Sequence, residues 1–338
     1  MTLTINKWTS HHNQLIYSLF YYCELNKIDL KIKYSYEIPN NGMELVFSGI
    51  KYFFDYSDDV NFITKPENFD FYFKRSLLLE KYSGNIKPLN FQINFSFKPL
   101  KLITKIPFDV LKLKESKTEL IRALDYFSFV TNDSHKSKDL NTIWSNEIND
   151  YGGRIIFMTR LWDPARNNDP IEKERRISQN NFRINACRII SKNFPNSITG
   201  LYPDYYAKEV AKDCLIDIKK TKKKSYLSEL KKSDICIADD GLKDTPGWKI
   251  GEYVMANKAI ISTPIKTIVE EFLPKKNYIN LEYRTDFKSL PDVINELIIS
   301  KSYMELKNNN KNWSNKYLKP DSYIENIIKT ASNNVYKK

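Results

Sequence analysis

Apolar residues in this chain gather in short continuous runs that stop at polar or glycine-containing loops, the mark of buried strands in an α/β protein. The second half repeats the arrangement four times. Arg154 to Thr159 reads R-I-I-F-M-T and is closed by Arg160-Leu161-Trp162-Asp163-Pro164. Ser197 to Leu201, Ile235 to Ala238 and Ala259 to Ser262 are the next three runs. Helical patterns separate them. Pro170 to Asn193 is charge-rich, with Ile177, Phe182, Ala186, Ile189 and Ile190 on its inner stripe, followed by Ser225 to Lys232 and Trp248 to Ala256. Strand and helix alternating over 154–262 predict a doubly wound parallel sheet. Beyond it, Asn277 to Tyr283 reads as a last strand and Leu290 to Ile299 as a helix.

The first half is aromatic and strand-rich. Leu15 to Leu25 has a helical pattern, and Asp29 to Tyr36 alternates as a strand. Met43 to Phe47 and Ile50 to Phe54 are joined by a turn at Ser48-Gly49, and Phe69 to Phe73 runs straight into Lys74-Arg75. Leu77 to Tyr82 is read as helical and Asn85 to Leu89 as leading into a loop. This α/β domain extends through about Phe129, and polar Asp133 to Gly153 ends the connection to the second. The expected division is 1–150, 151–318, and a terminal helix over 319–338. The helix's Tyr323, Ile324, Ile327 and Ile328 stripe needs a partner in the first domain.

Candidate chemistry concentrates in Asp239 to Ser262, a strand–loop–helix–strand unit. Thr245 supplies a capping hydroxyl and Pro246 suits the first helical position. The helix start over Pro246, Gly247, Trp248 and Lys249 presents backbone N–H groups at the positive end of the dipole, which suits a phosphate. Lys249 adds a full charge, and Glu252 projects from the same face three residues on. Ribose hydroxyls donate to a carboxylate, so the pair suits a nucleoside diphosphate. An ordinary surface Lys–Glu pair has the same spacing. Asn257 falls where a helix ends in a left-handed turn.

Other residues are candidates by position. Lys74 and Arg75 end a strand, where open α/β sheets bind ligands. Asp55, Asp58 and Asp59 end another, as a general base, a metal-binding acidic motif or a polar loop end. His11 and His12 precede a helix, where either could serve as a base. Lys219, Lys220, Lys222, Lys223 and Lys224 crowd one run, read as solvated or as facing an acidic acceptor or membrane surface.

Composition narrows the class. With 28% charged and 41% hydrophobic residues and no apolar run near the ~20 residues of a membrane span, the 338-residue chain reads as soluble. The N-terminus lacks a signal peptide's pattern, and Cys23, Cys187, Cys214 and Cys236 are scattered. A cytoplasmic protein follows, with peripheral contact at the inner face of an anionic membrane left open by the net charge of +12. No nucleic-acid motif appears.

The stretch from Asp244 to Ser262 resembles the nucleotide-sugar motif of GT-B glycosyltransferases of the family 1 and 4 type. There, an acidic residue, seven others and a Glu precede a small-residue helix end and an apolar strand. Asp244, Glu252 and Tyr253-Val254-Met255-Ala256-Asn257-Lys258-Ala259-Ile260-Ile261-Ser262 keep that register. The resemblance implies two Rossmann-like domains facing across a cleft, with the C-terminal helix returning to the first. It implies that Glu252 holds the ribose hydroxyls, that the Thr245 to Trp248 helix start and Lys249 face the diphosphate, and that Arg160 contacts it. Asp244 would be the catalytic acid, although Asp replaces the family's Glu there, leaving retaining and inverting outcomes open. The implied activity is sugar transfer from a nucleotide-diphosphate sugar to a glycan, lipid-linked or protein acceptor, with no metal and no cofactor. Two alternatives stand: a non-enzymatic nucleic-acid or anionic-surface binder, and a nucleotide-sugar epimerase-like enzyme on the same fold.

Overall fold

A computed structural model describes residues 1–111, 139–241, 243 and 245–335. The chain divides into two compact units. Unit 1 comprises residues 1–143, 267–270 and 314–338; unit 2 comprises 144–266 and 271–313. The first boundary lies before the expected position because residues 144–150 are tied into unit 2. Asn257 Nδ2 donates to the Ser145 carbonyl at 2.8 Å, Lys307 Nζ to the Asn149 carbonyl, and Tyr303 Oη to Asp150 at 2.7 Å. Phe129 and the first part of the expected connection, residues 133–138, lie outside the described residues.

Unit 1 is built on β1 (Thr2–Ile5), β2 (Lys31–Tyr34), β3 (Gly42–Phe47), β4 (Ile50–Asp55), β5 (Phe71–Lys74) and β6 (Ile86–Pro88). Their order is β2-β1-β3-β4-β5-β6. Only β3 runs antiparallel to its neighbours. Ser48 and Gly49 both have positive φ, 51° and 82°, which is what a two-residue hairpin between twisted strands requires. Register places Phe53 beside Tyr72 and Phe54 beside Phe73, and both ring pairs stack. That explains the aromatic strands: neighbouring strands fill one another's face of the sheet. Helix α1 (Asn13–Asn26) packs against the C-terminal helix of the chain, whose buried Tyr323, Ile324 and Ile327 meet the expected stripe.

Unit 2 carries β7 (Ile155–Thr159), β8 (Ile198–Leu201), β9 (Ile235–Ala238), β10 (Ala259–Ser262) and β11 (Ile279–Asn280). All pairs are parallel, in the order β11-β10-β9-β7-β8. The main helices are α2 (Pro170–Asn193), α3 (Lys223–Lys231), α4 (Trp248–Met255), α5 (Leu290–Ser300) and α6 (Tyr303–Tyr317), with α7 (Pro320–Val335) closing unit 1. β7 and β9 are neighbours although β8 lies between them in sequence. The chain therefore leaves the middle of the sheet in both directions, and the crevice beyond the carboxyl ends of β7 and β9 is where such sheets take ligands. The core below is mostly aliphatic, with Ile155, Ala186, Ile190, Ile235, Ile237 and Ile261 around the ring pair Phe157 and Phe182. Among the described residues no helix is long and apolar enough to cross a membrane.

Candidate functional site

The crevice is held by one stripe of α2. Arg175, Gln179 and Arg183 stand at intervals of four, one turn apart on the same face. Each is buried, and each bonds the backbone beyond a strand end. Arg183 spans the two central strands: Nη1 donates to the Arg160 carbonyl after β7 at 2.5 Å, and Nε to the Asp239 carboxylate after β9 at 2.5 Å. Gln179 Nε2 donates to the Asp240 carbonyl, and Arg175 Nη1 to the Gly241 carbonyl at 2.7 Å. Asp240 pairs with Arg284 at 2.6 Å, yet burial, and after it Asp239, raises its carboxyl above the usual range.

Helix α4 opens differently from the sequence expectation. Residues Asp240 and Pro246 form an antiparallel bridge, and the Gly241 amide donates to the Thr245 carbonyl at 2.5 Å. This hairpin buries Thr245 and takes Pro246 out of the helix, so Gly247 is the N-cap and Trp248 the first helical residue. Among the described residues no side chain caps the helix. A Cβ on Gly247 would stand 2.6 Å from the Asp239 carbonyl oxygen, so the loop fits only without one. Ile250, Tyr253, Val254 and Met255 fill the core. Trp248, Lys249 and Glu252 form the half-buried face beside the crevice. After the helix Asn257 adopts φ of 54°, the expected left-handed end.

Lys249 and Glu252 are joined by two residues of α3. Lys223 Nζ makes an ion pair with Glu252 Oε1, and the Tyr226 ring lies under both lysines, 5.3 Å from Lys223 Nζ and 5.7 Å from Lys249 Nζ. Burial lowers the Lys249 ammonium to about 8, with Glu252 opposing, Arg183 lowering it further, Asp239 opposing and Lys223 lowering it. Three cations and two carboxylates thus surround one crevice mouth. Arg160 extends outward with its guanidinium 4.4 Å over the Trp162 ring. Arg166 pairs with Asp163 and is exposed. Asp244 lies outside the described residues. Arg183 is the residue that sequence reasoning missed; its signal was the Arg175–Gln179–Arg183 spacing, which continues the buried Phe182–Ala186–Ile190 face.

The unit 1 candidates fall into two places. Asp55 and Lys74, expected as catalytic residues, form a 3.1 Å ion pair in which neither side chain has any exposed surface. Asp55 accepts from the Tyr72 hydroxyl at 2.7 Å and from the Ser57 and Ile63 amides, while Lys74 Nζ donates to Ser57 Oγ at 2.7 Å. Every strong bonding position is filled from inside, so this is an interior pair rather than a reactive one. Arg75 is also buried, pairing with Asp58 at 2.7 Å and lying 3.3 Å from His11 Nδ1. Gln92 donates to the His11 carbonyl at 2.7 Å. Loops following β1, β4, β5 and β6 thus meet at His11, Asp58, Arg75 and Gln92. Burial lowers the His11 imidazole, and Arg75 lowers it further. His12 is fully buried under Tyr56 and held neutral, its pKa about 3 through burial and then His11. Among the described residues no group of three or more His, Cys, Asp or Glu side chains is placed to hold a metal.

No protein-family model matches the chain, and no curated protein matches it. Among solved structures it is similar to the C-terminal domain of a glycosyl transferase group 1 family protein (LpcC) from Francisella tularensis. That match has 14% identity and a TM-score of 0.35, covering 52% of this chain and 95% of the other. TarM matches at 11% identity and TM-score 0.40, over 79% of this chain and 44% of its own. A glycosyltransferase from Rickettsia africae ESF-5 matches at 10% identity and TM-score 0.40, over 96% and 81%.

Proposed function

We propose that unit 2 binds a nucleoside diphosphate and that the protein is a glycosyltransferase using a nucleotide-diphosphate sugar as donor. The observation that carries this is one juxtaposition: Lys249 and Glu252 stand one turn apart at the start of α4, beside the β7–β9 crossing point. A helix start with its dipole and a lysine favours phosphate oxygens, and a carboxylate one turn deeper accepts from ribose hydroxyls. Arg183 keeps the two strand ends together and so fixes the crevice against which both groups work. The sequence register from Asp244 to Ser262 supports the same donor class.

In this reading Lys249, Arg160 and the α4 helix start offset the charge on the departing diphosphate, electrostatic stabilisation aimed at charge that develops as the sugar leaves. The transferred sugar passes through an oxocarbenium-like state. Unit 1 supplies the acceptor side, a glycan, lipid-linked or protein hydroxyl. Asp55 and Lys74 are not assigned a step. Asp244 keeps the position of the family's acid.

The test is a calorimetric screen of ribonucleoside diphosphates, with mass-spectrometric detection of slow hydrolysis of the matching nucleotide sugars. Tight binding of one diphosphate together with hydrolysis of its sugar supports the reading. Thermal stabilisation by oligonucleotides and by no diphosphate at moderate salt would instead favour an anionic-surface binder. Return of an isomerised nucleotide sugar would make the protein an epimerase.

A further inference from the structure

The lysine run before α3 breaks a rule of helix chemistry. Lys222 is the N-cap and Lys223 and Lys224 open the helix, with no acidic residue in the first turn and no side-chain cap. Cations at that end oppose the helix dipole, so the run costs stability where it stands. Unfavourable local choices of this kind collect at functional positions. Four of the lysines, Lys219, Lys220, Lys222 and Lys224, are exposed. Lys223 alone turns inward: its side chain is 33% exposed, and its ammonium ends on Glu252, whose side chain is 14% exposed.

That contact has a consequence for whatever binds Glu252. The Glu252 carboxylate already has a full counter-charge. Ribose hydroxyls reaching Glu252 must displace or share that ammonium, and neutral hydroxyls give the displaced lysine nothing in return. A ligand that also carries phosphates does, because Lys223 Nζ and Lys249 Nζ stand 5.3 and 5.7 Å from one ring, that of Tyr226, and so are close to one another.

We propose that Lys223 is the specificity-determining residue of this site: it holds Glu252 while the site is empty, and passes to the ligand's phosphates when ribose hydroxyls take the carboxylate. The inference rests on the nucleotide reading of unit 2 and adds a selection rule to it, against bare nucleosides and for their phosphorylated forms. Lys223 thereby does two opposed things. It competes with the ribose for Glu252, and it adds a second cation for the diphosphate.

The two roles predict effects of opposite sign from one substitution. Calorimetric titration of the parent chain, Lys223→Ala, Lys223→Gln and Lys223→Arg would use the four common ribonucleoside diphosphates and their nucleosides. Lys223→Ala and Lys223→Gln should weaken the diphosphate about 5- to 20-fold through loss of a charge-assisted contact, while tightening the nucleoside about 2- to 5-fold. Lys223→Arg should keep the diphosphate-to-nucleoside ratio within about threefold of the parent, because a guanidinium can make both contacts. Thermal midpoints of the alanine and glutamine variants should be unchanged or slightly higher, since each removes a cation from a helix start. Equal weakening of both ligands in Lys223→Ala overturns the proposal and makes Lys223 a structural support. Unchanged affinities overturn it and make the residue a bystander. A parent that binds none of the diphosphates overturns the nucleotide reading and this selection rule with it; a parent that binds with an unaltered ratio in the variants overturns the rule alone.

Discussion

Units 1 and 2 both set an acid and a base beside the carboxyl ends of neighbouring parallel strands, and they use them in opposite ways. In unit 1 Asp55 and Lys74 end β4 and β5, and the pair is sealed, with every strong bond supplied by Tyr72, Ser57, Ile63 and each other. In unit 2 Glu252, Lys249 and Lys223 stand half-buried on helices beside the strand ends. The first set has lost its water and gained an internal partner for each charge. The second keeps a face that a ligand can take. Burial, not residue type, separates the sealed pair from the one that keeps an open face.

The largest effect follows on the sealed side. Lys74→Ala leaves Asp55 charged, buried and without its counter-charge, which should cost about 3–5 kcal/mol. Replacing both partners together, Asp55→Leu with Lys74→Met, should recover much of that loss, because no uncompensated charge remains. Urea denaturation followed by fluorescence measures both. If Lys74→Ala costs less than about 1 kcal/mol, the pair is wetter than described and returns as a candidate for chemistry.

Arg183 tests whether the two regions differ in kind, because it is interior by burial and belongs to the crevice by position. Arg183→Met removes the partner of Asp239 and the bond to the Arg160 carbonyl together. A stability loss of about 2–3 kcal/mol is expected, less than at Lys74 because Asp239 keeps some exposure to solvent. Diphosphate binding should fall with it. A variant that loses stability but binds as the parent does would place Arg183 with the unit 1 pair, as structure only.

On the open side the signs reverse: function changes and stability does not. Glu252→Gln should weaken nucleotide binding about 10- to 150-fold, the worth of charge-assisted bonds to ribose hydroxyls. Its stability should stay within about half a kcal/mol, as for a partly exposed ion pair. Unchanged affinity in a calorimetric titration would reduce the Lys223–Glu252 contact to a surface pair.

Much of the frame was legible because its signals are local. The Pro170–Asn193 helix announces itself by an aspartate cap, a first-turn proline and continuous charge, and its bounds came out as read. The β9–α4–β10 unit was readable from apolar runs and from Asn257. What was not legible depends on partners distant in sequence. β1, the four residues T-L-T-I, is too short to stand out, although the sheet pairs it with both β2 and β3. α6 hides its period because Lys307, Asn310 and Ser314 are buried polar residues on its inner face, Lys307 against Asp234. Ile177, expected inside α2, is 47% exposed, and the inner stripe there passes instead through Arg175 and Gln179. Thr245 and Pro246 carry good cap chemistry, overruled by the bridge between Asp240 and Pro246. Lys223 was indistinguishable from its four exposed neighbours until α4 was placed beside it.

The smallest expected effect is the most diagnostic, because it moves binding and stability in opposite directions. Burial brings the Lys249 ammonium down from 10.5 to about 8. The groups around it are Glu252 on its own helix, Lys223 and Tyr226 from α3, Arg183 and Cys187 from α2, Cys236 from β9 and Asp239 just after it. A phosphate needs the protonated amine, so diphosphate affinity should be level below about pH 7 and fall by at most about tenfold per unit above pH 8. The unliganded protein should respond the other way. Between about pH 8 and 10.5 the unfolded chain holds the Lys249 proton and the folded one has released it, so this residue's contribution to stability rises with pH. Lys74 is also shifted down by burial, with Asp55 opposing, but it is sealed and its titration can appear only in stability. Titrations across pH 6.5 to 9.5 of parent and Lys249→Met separate the two lysines. The parent's affinity should bend near pH 8 and take up a proton on binding, and the variant's should be weaker and flat. A parent whose affinity does not change with pH would mean that Lys249 is not the group that meets the phosphates.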